Sequence, residues 1–294
     1  TKSWMFDQGC DRKAFERALR GGSLVRLRRG VVMPPEELAV WELHRRAIEA
    51  AALKINHGTY FARQSAGLLH GLPVRVTANL PVQVIRTMGG RHTRNRLLEA
   101  TPALLGEDDL TVVDGLPATS LRRTVVDLIR RLPFPEAVAV VDAALRRGLD
   151  RADLATRTGY GHTRASRAVA FGDEASESFG ESYSRAVMDL ANIPIPALQV
   201  DQFAADGSFL GRPDFDWGGK VVGEYDGRGK YDGSYGVDPR TAIEAEKLRA
   251  QAFLDEGYTL VRWMWSELQV PGVVPDRIRR ALASRVLVRP VLES

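Results

Sequence analysis

The chain has 294 residues, 44% of them hydrophobic and 27% charged, which is ordinary for a globular protein of two or three domains with ample core. No apolar run approaches the ~20 residues needed to span a bilayer, and no signal-peptide pattern is present, so no membrane partner is expected. One cysteine, Cys10, excludes an internal disulfide and a cysteine-ligated zinc ribbon, and it fits a reducing cytoplasm as the expected location.

A net charge of +4 with a pI of about 9.3 permits nucleic-acid binding without requiring it. The distribution is more informative. Lys2, Arg12, Lys13, Arg17, Arg20, Arg26, Arg28 and Arg29 face only Asp7, Asp11 and Glu16 within the first 31 residues. The stretch DRKAFERALRGGSLVRLRRGVVM reads as a helix, a stop and a hairpin. Asp11 is the expected N-cap, and Glu16 and Arg20 the expected i,i+4 pair. Ala14, Phe15, Ala18 and Leu19 form the apolar stripe, Gly21-Gly22 stops the helix, and Gly30 turns a small wing. Cations on an exposed helix and at a hairpin tip suit phosphate and groove contact. A solvated basic helix beside a structural hairpin reads equally well from pattern alone.

Pro34-Pro35 ends the wing, and a helix is expected over 36–53 with Ala39, Leu43, Ala47 and Ala50 inward. PVQVIRT reads as a strand, GLPATS as a turn into a helix capped by Thr119 or Ser120, and PEAVAVVDAALRRG as a helix from Pro135 to Gly148. The histidines at 44, 57, 70, 92 and 162 have no metal-ligand spacing. The run TRTGYGHTRASRAVAFGDEAS reads as a linker over 157–172, in which Arg157, Arg164 and Arg167 either touch phosphate or face solvent.

Beyond it, a helix is expected from Asp173 to Ala191, then strands Leu198–Phe203, Phe209–Phe215 and Val221–Asp226, with Asp206-Gly207 turning the first hairpin. A helix from Asp238 to Gly257, a buried strand in YTLVRWMW and a last helix near Pro275 complete the order. Asp214 and Glu224 are an even number of residues apart, so antiparallel pairing puts them on one face only across an odd loop. Gly218-Gly219-Lys220 supplies one, which also keeps Phe215, Trp217, Val221 and Tyr225 on the apolar side. A plainer reading makes these acids hairpin-surface charge balanced by Arg212, Arg228 and Lys220.

Two resemblances follow from these residues. The helix, the RLRRG turn, YFARQSAGLLHGLPV, and the stretch around Thr119, Arg123, Thr124 and Asp127 resemble the AbiE-type antitoxins, winged-helix transcriptional repressors of toxin–antitoxin operons. That resemblance covers about Asp11 to Leu149 and implies double-stranded DNA as partner, a cognate toxin as a second, and no cofactor for DNA binding. It implies DNA contact by Arg12, Lys13, Arg17, Arg20, Arg26, Arg28 and Arg29.

From Asp173 to Ser284, the order αβββαβ with RPDFDW, VVGEYDG and GYTLVRWMWSEL resembles the restriction-endonuclease-like PD-(D/E)XK superfamily, in the branch of the very-short-patch-repair nucleases. In that family Asp214 and Glu224 would hold Mg²⁺, with Glu181 or Asp226 assisting. The superfamily lysine two residues after the glutamate is here Asp226, and Lys230 is its nearest substitute. The expected architecture is therefore α/β (α+β): a winged-helix-like segment over 1–33, a mixed α/β middle over 34–156 and a restriction-endonuclease-like core over 173–294. The expected function is DNA-binding regulation with a nuclease-like domain of doubtful activity, against an alternative of Mg-dependent DNA cleavage.

Overall fold

The computed structural model describes residues 1–28, 30–155, 158–227 and 239–286; the side chains of Trp4, Arg28 and residues 239–246 and 285–286 are not described. It is a mixed α/β protein whose chain divides into two compact units. The first comprises 1–131 and 149–165, the second 132–148 and 166–294.

In the first unit, α1 (Lys2–Asp7) leads into α2 (Arg12–Arg20), and β1 (Val25–Arg28) turns through Gly30, at φ +82°, into β2 (Val31–Met33). Asp11 caps α2 as expected, accepting from the Ala14 N–H at 3.2 Å. Phe15 is buried with its ring edge-on to Phe6 at 5.5 Å, and the Lys2 N–H donates to the Gly30 carbonyl. These contacts join the helices and the hairpin into one piece. The i,i+4 pair that forms is Arg12–Glu16 at 3.3 Å rather than Glu16–Arg20.

Helix α3 (Val40–Ala52) starts four residues later than expected. Residues 34–39 stay outside helix after the two prolines, and Glu42 reaches back to accept from the Ala39 N–H at 2.7 Å. Its buried face runs through His44, Ile48 and Ala51 beside the expected Ala50, whereas Leu43 is exposed. Then come β3 (Thr59–Phe61), α4 (Arg63–Leu69), β4 (Val82–Arg86), β5 (Thr93–Arg94), β6 (Leu98–Pro102), β7 (Leu110–Val113), β8 (Leu116–Thr119) and α5 (Leu121–Ile129). The strands form a six-stranded mixed sheet in the order β5-β6-β4-β3-β8-β7. Its core packs Ile48 and Ala51 of α3 and Ala66 and Leu69 of α4 on Phe61, Val82, Val84, Ala100 and Ala118. Of GLPATS, Leu116–Thr119 is strand rather than turn: the reversal is at Asp114-Gly115, both at positive φ, and Ser120 caps α5 as one of the two expected caps.

Helix α6 (Phe134–Leu145) belongs to the second unit, where it packs on a later helix, residues 179–190. The short α7 (Arg151–Leu154) belongs to the first. The expected linker contains a helix, α8 (His162–Phe171), with Ala165, Ala168 and Val169 buried at i, i+3, i+4. Arg167 there is ion-paired to Asp189 at 2.6 Å, and Arg164 donates to the Arg131 carbonyl; Arg157 lies outside the described residues.

Helix α9 (Phe179–Leu190), capped by Ser178, begins six residues after the expected start. The next two expected strands are each broken in two. Gln199, at φ +53°, separates β9 (Ala197–Leu198) from β10 (Gln202–Phe203). Gly211, at φ +148°, and Pro213 separate β11 (Phe209–Gly211) from β12 (Phe215–Asp216). β10 and β11 form their own hairpin around Asp206-Gly207.

β13 (Val221–Asp226), α10 (Pro239–Asp255), β14 (Thr259–Met264), α11 (Trp265–Leu268) and α12 (Val273–Val286) complete the unit. The sheet order is β14-β13-β12-β9, with β13 and β14 parallel across the α10 crossover and the other pairs antiparallel. One sheet face buries Phe215, Val221, Val261 and Trp263 against Met188 of α9, Leu268 of α11 and Val274 and Ile278 of α12.

Candidate nucleic-acid surface and acidic site

Helix α2 is amphipathic in the simplest way. Phe15 points inward, and Arg12, Lys13, Arg17 and Arg20 are all exposed. Arg26 on β1 is exposed as well. Lys13, Arg17, Arg20 and Arg26 have no ion-pair partner among the described residues, so their charge is directed to solvent. Arg28 belongs to β1 without a described side chain, and Arg29 lies outside the described residues. The polar residues that carried the upstream resemblance are structural. Thr119 and Thr124 share a 2.7 Å hydroxyl contact, and Arg123 bridges Asp127 at 3.0 Å and Asp109 at 3.1 Å. They pin α5 to the edge of the sheet.

In the second unit the reversal before β13 is the odd loop expected from the sequence. Phe215 pairs with Gly223 and Asp216 with Val222, and the Trp217 N–H donates to the Val221 carbonyl across Gly218-Gly219-Lys220. All three loop residues have positive φ. One further step of that register sets Asp214 level with Glu224. Phe215 and Val221 enter the core, with Trp217 and Tyr225 packed beside them, as the parity required.

Three elements bring the acids together by different means. Asp214 Oδ2 accepts from the Tyr225 N–H at 2.7 Å. Glu181 sits in the first turn of α9, where its own N–H donates to Ser178 Oγ at 3.1 Å and its Oε2 accepts from the Glu177 N–H at 2.8 Å. Gln199 joins the two, its Nε2 donating to Glu181 Oε2 at 3.2 Å and to Asp214 Oδ1 at 3.3 Å. Helix α9 can approach because Gly180 has no side chain: a Cβ there would stand 2.0 Å from the Tyr225 ring. Trp263 Nε1 donates to Ser184 Oγ at 2.8 Å and holds the same helix against β14.

Glu224 is arranged differently. It is buried, and each carboxylate oxygen meets a guanidinium: Oε1 that of Arg249 on α10 at 3.0 Å, Oε2 that of Arg262 on β14 at 2.7 Å. Arg262 is level with Glu224 in the parallel ladder, so both side chains leave the sheet on one side. Mg²⁺ needs several free oxygen donors in octahedral array. Here both Glu224 oxygens face guanidiniums and both Asp214 oxygens accept from N–H donors, so a metal would have to share every one of these oxygens with a donor already in place. Among the described residues no group of three His, Cys, Asp or Glu side chains is placed to hold one.

The remaining candidates separate. Asp226 ends β13, half-buried and level with Met264. Lys230 lies outside the described residues. Asp216 closes its own turn, accepting from the Gly218 N–H at 2.7 Å. Arg212 pairs with Glu177 at 3.1 Å, and Lys220 donates to the Glu256 carbonyl. Sequence reading missed Gln199, Arg249 and Arg262. Of these only Arg262 left a trace, as an arginine on the alternate positions of an otherwise apolar strand.

No described helix is long and apolar enough to cross a membrane. No family model matches the chain. A crystal structure of the RV2827C protein from Mycobacterium tuberculosis is similar over 68% of this chain and 80% of that one, at 18% identity and a TM-score of 0.38. Two curated relatives from Mycobacterium tuberculosis, uncharacterized protein MT2308 of strain CDC 1551 / Oshkosh and uncharacterized protein Rv2248 of strain ATCC 25618 / H37Rv, are each 29% identical over 178 residues. The match takes in 58% of this chain and 63% of the relatives' own length.

Proposed function

We propose that the protein is a double-stranded-DNA-binding regulator of the antitoxin type. In this reading α2 and the β1–β2 hairpin form a shortened winged helix, and the C-terminal unit keeps a nuclease-like αβββαβ arrangement without nuclease activity. The observation that carries the DNA reading is the set of exposed cations on one helix and one strand, Lys13, Arg17, Arg20 and Arg26, with no carboxylate partner among the described residues. Charges so presented release counterions from a duplex, which makes the affinity steeply salt-dependent. The observation that argues against cleavage is the pair of guanidiniums on Glu224. A cognate toxin is the second partner implied by the antitoxin resemblance.

The test is a salt titration of duplex binding by fluorescence anisotropy. Replacing Arg17, Arg20 and Arg26 together by alanine should lower the log–log salt slope by about 2.7, at ~0.9 for each phosphate that is no longer neutralised. An unchanged slope and affinity would remove the DNA assignment. Plasmid incubated with the protein and Mg²⁺ or Mn²⁺ should stay supercoiled. Metal-dependent nicking that Asp214→Ala abolishes would establish the endonuclease in its place.

A further inference from the structure

A cavity of about 670 Å³ opens within the first unit, between β1, α3 and the loops before β4 and β6. That volume lies inside the ~300–1,000 Å³ range of small-molecule sites. Its walls are largely hydrocarbon. Leu43 of α3 and Leu97 of the loop before β6 are large, exposed side chains that line it, and Ala47 keeps its floor open. The loop carrying Leu97 is set by Asn95, whose Oδ1 accepts from the N–H groups of Leu97 and Leu98 at 2.8 and 3.0 Å.

The charged side chains of this cavity are of one sign. Arg26 and Arg96 line it, both exposed and neither ion-paired among the described residues, and its described lining holds no carboxylate. His44 adds no charge. Burial lowers its pKa to about 4, and its Nε2 is engaged with Ser65 Oγ at 3.0 Å. An apolar hollow with two unneutralised guanidiniums and no acid is complementary to a molecule with a hydrocarbon body and one negative end.

We propose that this cavity binds an amphipathic organic anion, with its hydrocarbon chain against Leu43, Ala47 and Leu97 and its carboxylate toward Arg26 and Arg96. The proposal shares Arg26 with the DNA reading but does not rest on it, and it is tested without DNA.

The experiment is calorimetric titration of the full chain with decanoate and, separately, with decanol, both below their aggregation limits. Decanoate should bind saturably with one molecule per chain, about fivefold tighter than decanol, the difference expected from exposed charge pairing. Arg96→Gln should reduce that preference and leave decanol unchanged. Leu43→Glu, at an exposed position where the fold is not at stake, should weaken decanoate about tenfold by removing wall and adding like charge. Equal affinity for decanoate and decanol in the wild-type chain would overturn the proposal. So would the absence of saturable heat from either, or decanoate binding indifferent to Leu43→Glu.

Discussion

The substitution Glu224→Gln separates a structural carboxylate from a metal ligand. It keeps shape and removes one charge. In the native chain the Glu224 side chain is 6% exposed, and it faces Arg249 and Arg262, whose side chains are 39% and 29% exposed. Arg262 meets Glu224 as a close, largely buried ion pair at 2.7 Å, and removing the charge of one partner of such a pair costs about 1.5–3 kcal/mol when the other stays partly in solvent. Because Arg249 is more than a third exposed, its share is discounted to roughly the value of a surface pair, about 0.5 kcal/mol. The two together suggest a loss of about 2–3 kcal/mol, since the guanidiniums keep their desolvation cost and lose their counter-charge. For a unit of this size that corresponds to a fall in Tm of about 5–10 °C. Thermal unfolding followed by tryptophan fluorescence in a Trp4→Phe, Trp41→Phe background reads the second unit, which contains Trp217, Trp263 and Trp265. Titrating Mg²⁺ in the same assay adds the decisive arm, because a ligand bound to the native state raises Tm in proportion to the logarithm of its concentration. Neither the wild-type chain nor the variant should respond to Mg²⁺. If Glu224→Gln melts with the wild type, and Mg²⁺ stabilises the wild type but not the variant, the carboxylate is a metal ligand and the ion-pair account is wrong.

Two other buried groups give sharp expectations. His44 titrates near 4 when folded and near 6.5 when unfolded, so between those values the unfolded chain holds the extra proton. Stability should therefore fall as pH drops from about 6.5 to 4, by up to about 3 kcal/mol, and His44→Asn should flatten that part of a pH series of urea unfolding curves. Arg185 and Asp142 are both buried, joined at 2.9 and 3.1 Å, and burial raises the Asp142 pKa against the pull of the arginine. Arg185→Met should cost about 3–5 kcal/mol in chemical unfolding by leaving that carboxylate unpaired, and adding Asp142→Leu should recover part of the loss.

What the sequence disclosed follows from the range of each interaction. The Gly218-Gly219-Lys220 loop was legible because side-chain parity along two neighbouring strands is a local property, and the packed aromatics on one side agree with it. The Asp11 cap, the Gly30 turn and the α10 crossover were legible for the same reason. The partners of Glu224 were not. Arg262 reaches it only after a parallel ladder has formed across a helix, and Arg249 only after that helix has settled. Helix α8 escaped notice because its buried face consists of two alanines and a valine among glycines and arginines. The anchoring of α6 by Asp142 was not legible, because this acid sits in an alanine-rich run and its partner Arg185 comes from a helix far along the chain. Gln199 is illegible for another reason: its backbone stands at φ +53°, which only the surrounding chain can impose.

Arg26 is claimed twice, by the hairpin that would meet a duplex and by the cavity beside α3. A guanidinium already neutralised by a carboxylate attracts a phosphate less strongly, so each visitor would raise the concentration the other needs. Thermodynamic reciprocity makes that penalty equal in both directions. Under the proposed DNA reading, the chain would loosen from a duplex as a greasy acid accumulates, with no movement larger than the swing of one side chain.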